Sequence, residues 1–530
     1  MNTRMWKGFT VAGALCLAVG SCTDLTELPQ SSTTEANVFT DPSSYVSAIA
    51  KVYAGLALSG QQGPAGQPDI SGIDEGFSQY LRLYWELEEL PTEEAVIAWG
   101  DIGLPEMNTQ LWNAQSNMVV AMYYRIFLQV ALANEFLRQT TDDKLTARGN
   151  VSAALRDQIH VYRAEARFLR ALSYWHGVDL FGAIPLVTEN DPVGSTPPKQ
   201  STRSDLYNYV VSELNAIRTL LPAPGASTYG RATGPAADML LANLYLNAGV
   251  YTGTPDYAHA LTSAVAVINS GAYTLDTGYQ HLFRADNNTS PEIIFPITQD
   301  GLKTQTYGGV TFLAHASCGG SMSNSTYGID GCWWGLRAKL EAFNNFPAAD
   351  KRGIFYISGQ TDTVFSIGTF QNGIAAPKFQ NVHSDAAHTP GSNGTFVDTD
   401  FPMFRLAEAF LIYAEAHLRG GGGTDSLALA YVDSLQQRAY GDTLHKVTLA
   451  QLTLPFILAE RERELFWEGH RRTDLVRYSL FTGGTALWEW KGGTLAGKAT
   501  DSYRDLYPIP ASECIANPNL TQNPGYGPCR

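Results

Sequence analysis

Apolar side chains recur along this chain every three or four positions. Between residues 114 and 138, Val119, Met122, Ile126, Val130, Ala133 and Leu137 fall on one face, which is the spacing of an amphipathic helix. The same period runs through Ile159, Tyr162, Ala166, Leu169 and Leu172, then through Leu206, Val210, Leu214, Ile217 and Leu221. It returns in Ala237, Leu240, Leu244 and Ala248, and again in Phe404, Ala407, Leu411, Ala414 and Leu418. Helices of roughly 14 to 24 residues in successive pairs, with small residues at the contact positions, predict tetratricopeptide-like hairpins stacked side by side. The fold class is therefore mainly α.

Two stretches break the pattern. Residues 190–201, "NDPVGSTPPKQS", form a Pro/Ser/Gly connector that predicts a surface loop between helical pairs. From about 271 to 400 the helical period is lost and Gly, Ser, Thr, Asn and Tyr accumulate around short strand-like runs such as "EIIFPI". That stretch predicts a long insertion between helical blocks, and loops held by a rigid scaffold are where binding tends to reside.

The N-terminus adds a location. "MNTRMWKGFTVAGALCLAVGSC" carries Arg4 and Lys7, then an apolar run from Phe9 to Val19, then Gly20 and Ser21 before Cys22. The run is too short to span a bilayer as a finished helix and has the layout of a secretory signal. Small residues directly before a cysteine resemble a bacterial lipobox, which makes residues 1–21 a signal peptide and Cys22 the lipidated first residue of the mature chain. An ordinary signal with an incidental cysteine is the alternative. No later apolar run is long enough to cross a membrane, so the expectation is a soluble but tethered protein.

Composition narrows the class further. A chain of 530 residues, 44% hydrophobic, can bury one large core or two ordinary ones. A formal net charge of −15 with no basic block excludes nucleic acid as a natural partner. Cys318, Cys332, Cys514 and Cys529 fall as two local pairs. If oxidised, as exported proteins favour, each closes a loop of about 15 residues, with stabilisation of roughly 3 kcal/mol. A zinc site is the alternative, but there is no C-x-x-C and His315 near Cys318 lacks a second histidine at ligand spacing.

Charge concentrates in "AERERELFWEGHRRTDLVRY", residues 459–478, which holds ten charged side chains in a chain that is 16% charged. A zincin requires H-E-x-x-H, and His470 has no such partner. Glycoside hydrolysis requires two carboxylates facing each other across a sugar, whereas Glu460, Glu464 and Glu468 stand at i, i+4 and i+8 on one helical face. Pairs of Glu468 with Arg472, Arg471 with Asp474 and Asp474 with Arg477 would lock two helices across Gly469. The stretch reads as a structural ion network.

The pattern E-R-x-x-E-L-x-x-E-G-x-R-x-x-D-L-x-R from Glu460 to Arg477 resembles the C-terminal signature of the SusD/RagB family of outer-membrane nutrient-binding lipoproteins. "RAEARFLRALSYWHGVDLFGAIPLVTE" (163–189), "LYPIPASECIANPNLTQNPGY" (506–526) and "CTDLTELPQSSTTEANVFTD" (22–41) are similar to other parts of that family, in the same order. The resemblance implies one SusD-like unit over 22–530, with an N-terminal half to about 225 and a C-terminal half from about 271. In that fold four tetratricopeptide-like pairs pack against a loop-rich irregular half. It also implies no catalysis and no cofactor. Members sit lipid-anchored on the cell surface of the outer membrane, over a TonB-dependent SusC-like transporter, and capture glycans or other oligomeric nutrients for import.

Sugars present apolar C–H faces ringed by hydroxyls, so a capture site needs flat aromatic platforms among amides and carboxylates. Residues 74–101 bring Tyr80, Tyr84, Trp85 and Trp99 together with Arg82 and Asp101, and residues 326–335 add Tyr327, Trp333 and Trp334. Trp333 and Trp334 are the expected platform, in a loop stiffened by Cys332, with Trp99, Tyr80 and Tyr327 as further candidates. Trp85, on a predicted helix, is expected in the core. Two rival functions remain. One is a helical-repeat scaffold for protein partners. The other is a glycosidase using Glu88, Glu89, Glu93 and Glu94, which are otherwise expected to form a solvated acidic rim.

Overall fold

The computed structural model describes residues 38–39, 41–194, 196–225 and 228–529. Cys22 and the apolar run before it lie outside the described residues. Helices dominate. In chain order they begin with α1 (Ser44–Ala57), α2 (Tyr80–Glu89), α3 (Leu104–Thr109), α4 (Asn117–Gln139), α5 (Asp142–Arg148) and α6 (Ala153–Leu180). There follow α7 (Arg203–Ile217), α8 (Gly234–Leu246), α9 (Ala248–Thr252), α10 (Tyr257–Asn269), α11 (Gly309–Ala316) and α12 (Leu340–Asn344). The last five are α13 (Leu406–Leu418), α14 (Asp425–Tyr440), α15 (Leu454–Leu465), α16 (Arg471–Arg477) and α17 (Ala511–Ala516). Several begin on a hydroxyl that accepts from a first-turn amide: Ser152 from Leu155 N, Thr202 from Asp205 N and Thr453 from Phe456 N. Such a cap satisfies one of the helix's free donors.

The long helices pack in series, α4 on α6, α6 on α7, α7 on α8, α8 on α10, α10 on α13 and α13 on α14. This is the stacking that the three-and-four spacing predicts. Helices α10 and α13 touch although some 136 residues separate them in sequence, so the stretch between them is an insertion into one continuous stack. Strands β2 (Ile293–Ile297) and β4 (Phe401–Arg405) pair antiparallel where the chain leaves and re-enters. Phe404 therefore lies on a strand and not on the helix its spacing suggests, and α13 starts at Leu406. All five residues of β4 are buried, and a continuously apolar short run carries no period to distinguish strand from helix. Residues 271–400 are also less irregular than expected, since they include α11 and α12.

Residues 459–478 are the interior frame. Arg352 Nη1 meets Glu460 Oε1 at 2.6 Å and Glu464 Oε2 at 3.1 Å, and Arg405 Nη1 meets Glu464 Oε1 at 2.6 Å. Glu468 accepts from Arg405 Nε at 2.6 Å and from Lys378 Nζ at 2.7 Å. Asp474 bridges Arg461 (2.6 Å) and Arg477 (2.7 Å), and Arg477 continues to Glu415 (2.7 Å). Of the three pairs expected from sequence spacing, Asp474 with Arg477 forms, while Glu468 with Arg472 and Arg471 with Asp474 do not. Trp467 (φ 61°) and Gly469 (φ 78°) break the helical path, so i+4 spacing does not carry across them. Arg471 turns instead to Glu93 and Glu462, and Arg472 to Asp179 and Glu88.

Those partners overturn the expected acidic rim. Glu88, Glu89, Glu93 and Glu94 are all buried. Glu89 Oε1 accepts from Gly469 N (2.6 Å) and His470 N (3.1 Å), Glu88 Oε2 from Thr473 N (3.1 Å), and Glu94 Oε2 from Trp467 N (2.8 Å). Glu88 and Glu89 cap the start of α16 from the end of α2, where free amide donors favour carboxylates. Burial, with Arg472 opposing it, leaves Glu88 up at about 8, and burial plus the Glu88 charge pushes Glu89 to about 8.

Candidate functional site

A two-residue ladder positions the aromatic residues. Strands β1 (Val96–Ile97) and β3 (Leu336–Arg337) run antiparallel with Val96 opposite Arg337 and Ile97 opposite Leu336. The register continues through Ala98 N donating to Gly335 O at 2.9 Å. Trp99, two residues past β1, thus comes level with the residues just before β3, and its Nε1 donates to Trp333 O at 3.0 Å. A Cβ on Gly335 would lie 2.9 Å from Trp99 Cε2, so only glycine admits the indole there.

Trp333, Trp334 and Gly335 are held by the end of α11. Their amides donate to His315 O, Cys318 O and Ala316 O, each at 2.9 Å, which uses carbonyls that a helix C-terminus leaves free. A Cys318–Cys332 disulfide flanks the same turn, and a second joins Cys514 to Cys529. The Trp333 ring lies on the His315 imidazole with centroids 4.5 Å apart and planes 25° apart. Burial holds that imidazole below its ordinary value, against the opposing pull of Gly331 O and Asp330, which favours an uncharged ring beneath Trp333. On its other sides Trp333 meets Trp99 at 6.4 Å and Tyr307 at 6.1 Å, and Tyr307 meets Phe396 at 5.3 Å.

Trp99, Trp333 and Tyr307 therefore form an arc. Tyr307 is 40% exposed and the two indoles are half-buried. Behind it, the Arg82 guanidinium sits 3.8 Å from the Phe77 ring centroid, 4.0 Å from Phe312 and 5.5 Å from Trp99. Arg82 Nε donates to Glu86 at 2.9 Å, and both residues are buried. Exposed carboxylates lie near the arc. Asp101 is two residues beyond Trp99, Asp74 accepts from Gly76 N beside Tyr307, and Asp330 Oδ1 is 3.9 Å from His315 Nδ1. Flat rings supply stacking faces, and carboxylates accept from hydroxyls.

Not every aromatic singled out from sequence takes part. Tyr80 is 1% exposed, with its hydroxyl 2.8 Å from His176 Nδ1 and 3.2 Å from Ser173 Oγ, so it is a core residue. Tyr327 is 8% exposed and presents no platform. Trp85 is fully buried, its ring edge-on to Trp467 at 5.4 Å. Trp334 is exposed and packs on Phe370 instead of on the rings of the arc. Sequence reasoning missed Tyr307, Phe396 and Phe77. The only local signal was "TYGGVTF" (306–312), whose Gly308 and Gly309 permit close packing on Gln79. The catalytic alternative loses its residues, because the four glutamates of 88–94 lie under the surface with amides and arginines. Among the described residues, no group of three or more His, Cys, Asp or Glu is arranged to hold a metal, and no helix is long and apolar enough to cross a membrane.

Comparison with known proteins bears on what this arc meets. A model described as "SusD family" matches residues 322–526, and one described as "Starch-binding associating with outer membrane" matches 85–246. The starch-binding protein SusD of Bacteroides thetaiotaomicron is 36% identical, with 90% of this chain and 91% of that protein covered. A SusD-like protein of Bacteroides ovatus is 24% identical over 93% of this chain and 87% of its own. Among solved structures, surface glycan-binding protein A from Bacteroides thetaiotaomicron in complex with laminarihexaose superposes with a TM-score of 0.67 at 20% identity, covering 90% of this chain and 98% of that one.

Proposed function

The chain belongs to the SusD family, and from that premise we propose that it captures a glucan-type polysaccharide at the cell surface by stacking sugar rings on Trp99, Trp333 and Tyr307. The observation that carries this reading is the arc itself: three rings from three separate segments, each fixed by hydrogen bonds or glycine contacts, with exposed carboxylates beside them. Starch is the first ligand to test, because the relative at 36% identity is named for binding it. Laminarin is the second, from the hexasaccharide held by the structural relative. We read the arc as a binding surface and not a hydrolytic one, because the clustered glutamates Glu88, Glu89, Glu93 and Glu94 lie buried against amides and arginines. Lipidation at Cys22 would tether it to the outer membrane, and a TonB-dependent SusC-like transporter would receive the captured chain.

Affinity electrophoresis in gels containing amylopectin or laminarin tests the site. Trp333→Ala removes a stacking face and its C–H/π contact, so retardation should weaken about tenfold to hundredfold, the equivalent of roughly 1.4 to 2.8 kcal/mol. The melting temperature should hold within about 3 °C, because the ring is only half-buried. Parent protein that neither polymer retards, or Trp333→Ala that binds as tightly as the parent, overturns the proposal.

A further inference from the structure

Trp334 is the unabsorbed feature of this turn. Its φ is 57°, a left-handed conformation that bulky side chains rarely adopt and that persists only where the surroundings enforce it. Hydrogen bonds from Trp333 N, Trp334 N and Gly335 N to the end of α11 supply that enforcement. The consecutive indoles take different partners: Trp333 joins Trp99 and Tyr307, whereas Trp334 packs on Phe370 at 5.8 Å and remains 45% exposed.

The ground beside Trp334 is closely packed on Phe370. A Cβ on Gly319 would come within 2.7 Å of the Phe370 ring, so the loop after α11 lies directly on that ring only because residue 319 is glycine. Gln360 Nε2 donates to Phe370 O (3.0 Å) and Gly373 O (3.1 Å). That fixes the amide with Oε1 beside Gly320, where no donor reaches it among the described residues. Next to it the Ser321 and Tyr356 hydroxyls pair at 2.9 Å. An exposed indole, a free amide acceptor and a hydroxyl pair are what a pyranose ring requires: a face to stack on and partners for its hydroxyls.

We infer that Trp334 and Gln360, both beside Phe370, form a second saccharide subsite next to the Trp99, Trp333 and Tyr307 arc, which engages a further part of the same polysaccharide chain. The inference rests on the glycan reading of the arc. Two subsites on one rigid turn convert the second contact into an intramolecular one, so long chains gain avidity that a short one does not. Trp334 is then a length sensor: it contributes to polymer capture and little to a ligand that fills the arc alone.

The test compares amylopectin or laminarin, whichever retards the parent, with the matching trisaccharide measured by calorimetry. Trp334→Ala should lower the ratio of polymer to trisaccharide affinity about fivefold to tenfold, and Trp334→Phe, which keeps a flat ring, should recover most of it. Gln360→Ala should lower the ratio in the same direction by a smaller factor, and melting temperatures identify any variant that fails to fold. Equal losses for both ligands would place Trp334 in the arc, and no loss for either would remove it from binding; each overturns the subsite. Full polymer affinity together with lost co-purification of an outer-membrane transporter would make Trp334 a protein contact, which also overturns it. These outcomes leave the arc standing as long as Trp333→Ala weakens binding. A parent retarded by neither polymer sinks both readings.

Discussion

Glu468→Ala isolates the frame from the site. Glu468 is buried and receives Lys378 Nζ at 2.7 Å, Arg405 Nη2 at 2.8 Å and Arg405 Nε at 2.6 Å. Its carboxyl is held below the ordinary range because the Arg405 and Lys378 charges outweigh the cost of its burial. Truncation leaves Arg405 with Glu464 and Glu292, but leaves Lys378 with no carboxylate, only Phe466 O and the faces of Phe283 and Tyr279 among the described residues. Breaking one partner of a buried ion group typically costs about 3 to 5 kcal/mol. Unfolding entropy of about 2.1 cal/mol/K per residue over roughly 500 residues gives about 1 kcal/mol per degree, so the melting temperature should fall about 3 to 5 °C.

Two controls sharpen that number. Burial already pushes Lys378 down to about 8, and without Glu468 it loses the carboxylate that held its proton. The penalty should therefore shrink as the pH rises toward about 9, where a neutral amine is tolerated. Arg156→Ala removes a pair with Asp142 that is open to water and should cost under about 1 kcal/mol, a shift within about 1 °C. Differential scanning calorimetry at several pH values reads all three, and polymer retardation should match the parent throughout. An unchanged melting temperature refutes the frame reading, and lost retardation at an unchanged melting temperature would move the binding site into residues 459–478.

Other expectations follow from single contacts. Gly469→Ala places a Cβ 2.7 Å from Tyr84 Cε1 at a φ of 78°, so it should destabilise by about 2 kcal/mol or more; a melting temperature equal to the parent's contradicts this. Glu89 sits at about 8 against an ordinary 4.5, so the folded state binds that proton more tightly than the unfolded chain and stability declines as the pH climbs between those values. Glu89→Gln mimics the protonated form, and its melting temperature should equal the parent's near pH 5 and exceed it near pH 8.5; parallel curves would count against the assignment. Cys22→Ala should release the protein from washed outer membranes without changing its melting temperature, whereas continued pelleting in the absence of a transporter rules out anchoring at Cys22.

The helical stack was legible because its signal is local. Residues three and four apart, such as Leu206, Val210 and Leu214, share a face whatever the rest of the chain does. The charge partners were not legible, because they arrive from afar: Glu88 meets Arg472 across 384 residues, and no spacing rule carries that distance. Charged glutamates at 88–94 look solvated until arginines are brought to them. Trp99 and Trp333 stood out as aromatic candidates, but Tyr307 did not, since it reaches Trp333 only after α11 and the β1–β3 ladder are in place. The different partners of Trp333 and Trp334 follow a left-handed torsion at Trp334, and two consecutive indoles do not announce in sequence which will turn.

One short helix joins frame to site. All ten residues of α2 are buried, which a helix with four charged side chains tolerates only if every side meets a partner. Toward one side, Arg82 and Glu86, four residues apart, pair with each other and place a cation beneath Phe77, Phe312 and Trp99. Toward the other, Glu88 and Glu89 cap α16, Tyr84 donates to Gly469 O at 2.8 Å, and Trp85 Nε1 donates to Trp467 O at 2.9 Å. The residues that fix the position of α2 against the charged segment thereby fix Arg82, and with it the back of the arc. A capture site that must present flat faces to a flexible polymer gains from such rigidity, since rings already held in place lose little further freedom on binding. The dense charge of residues 459–478 then serves binding at one remove, by immobilising the helix on which the aromatic rings rest.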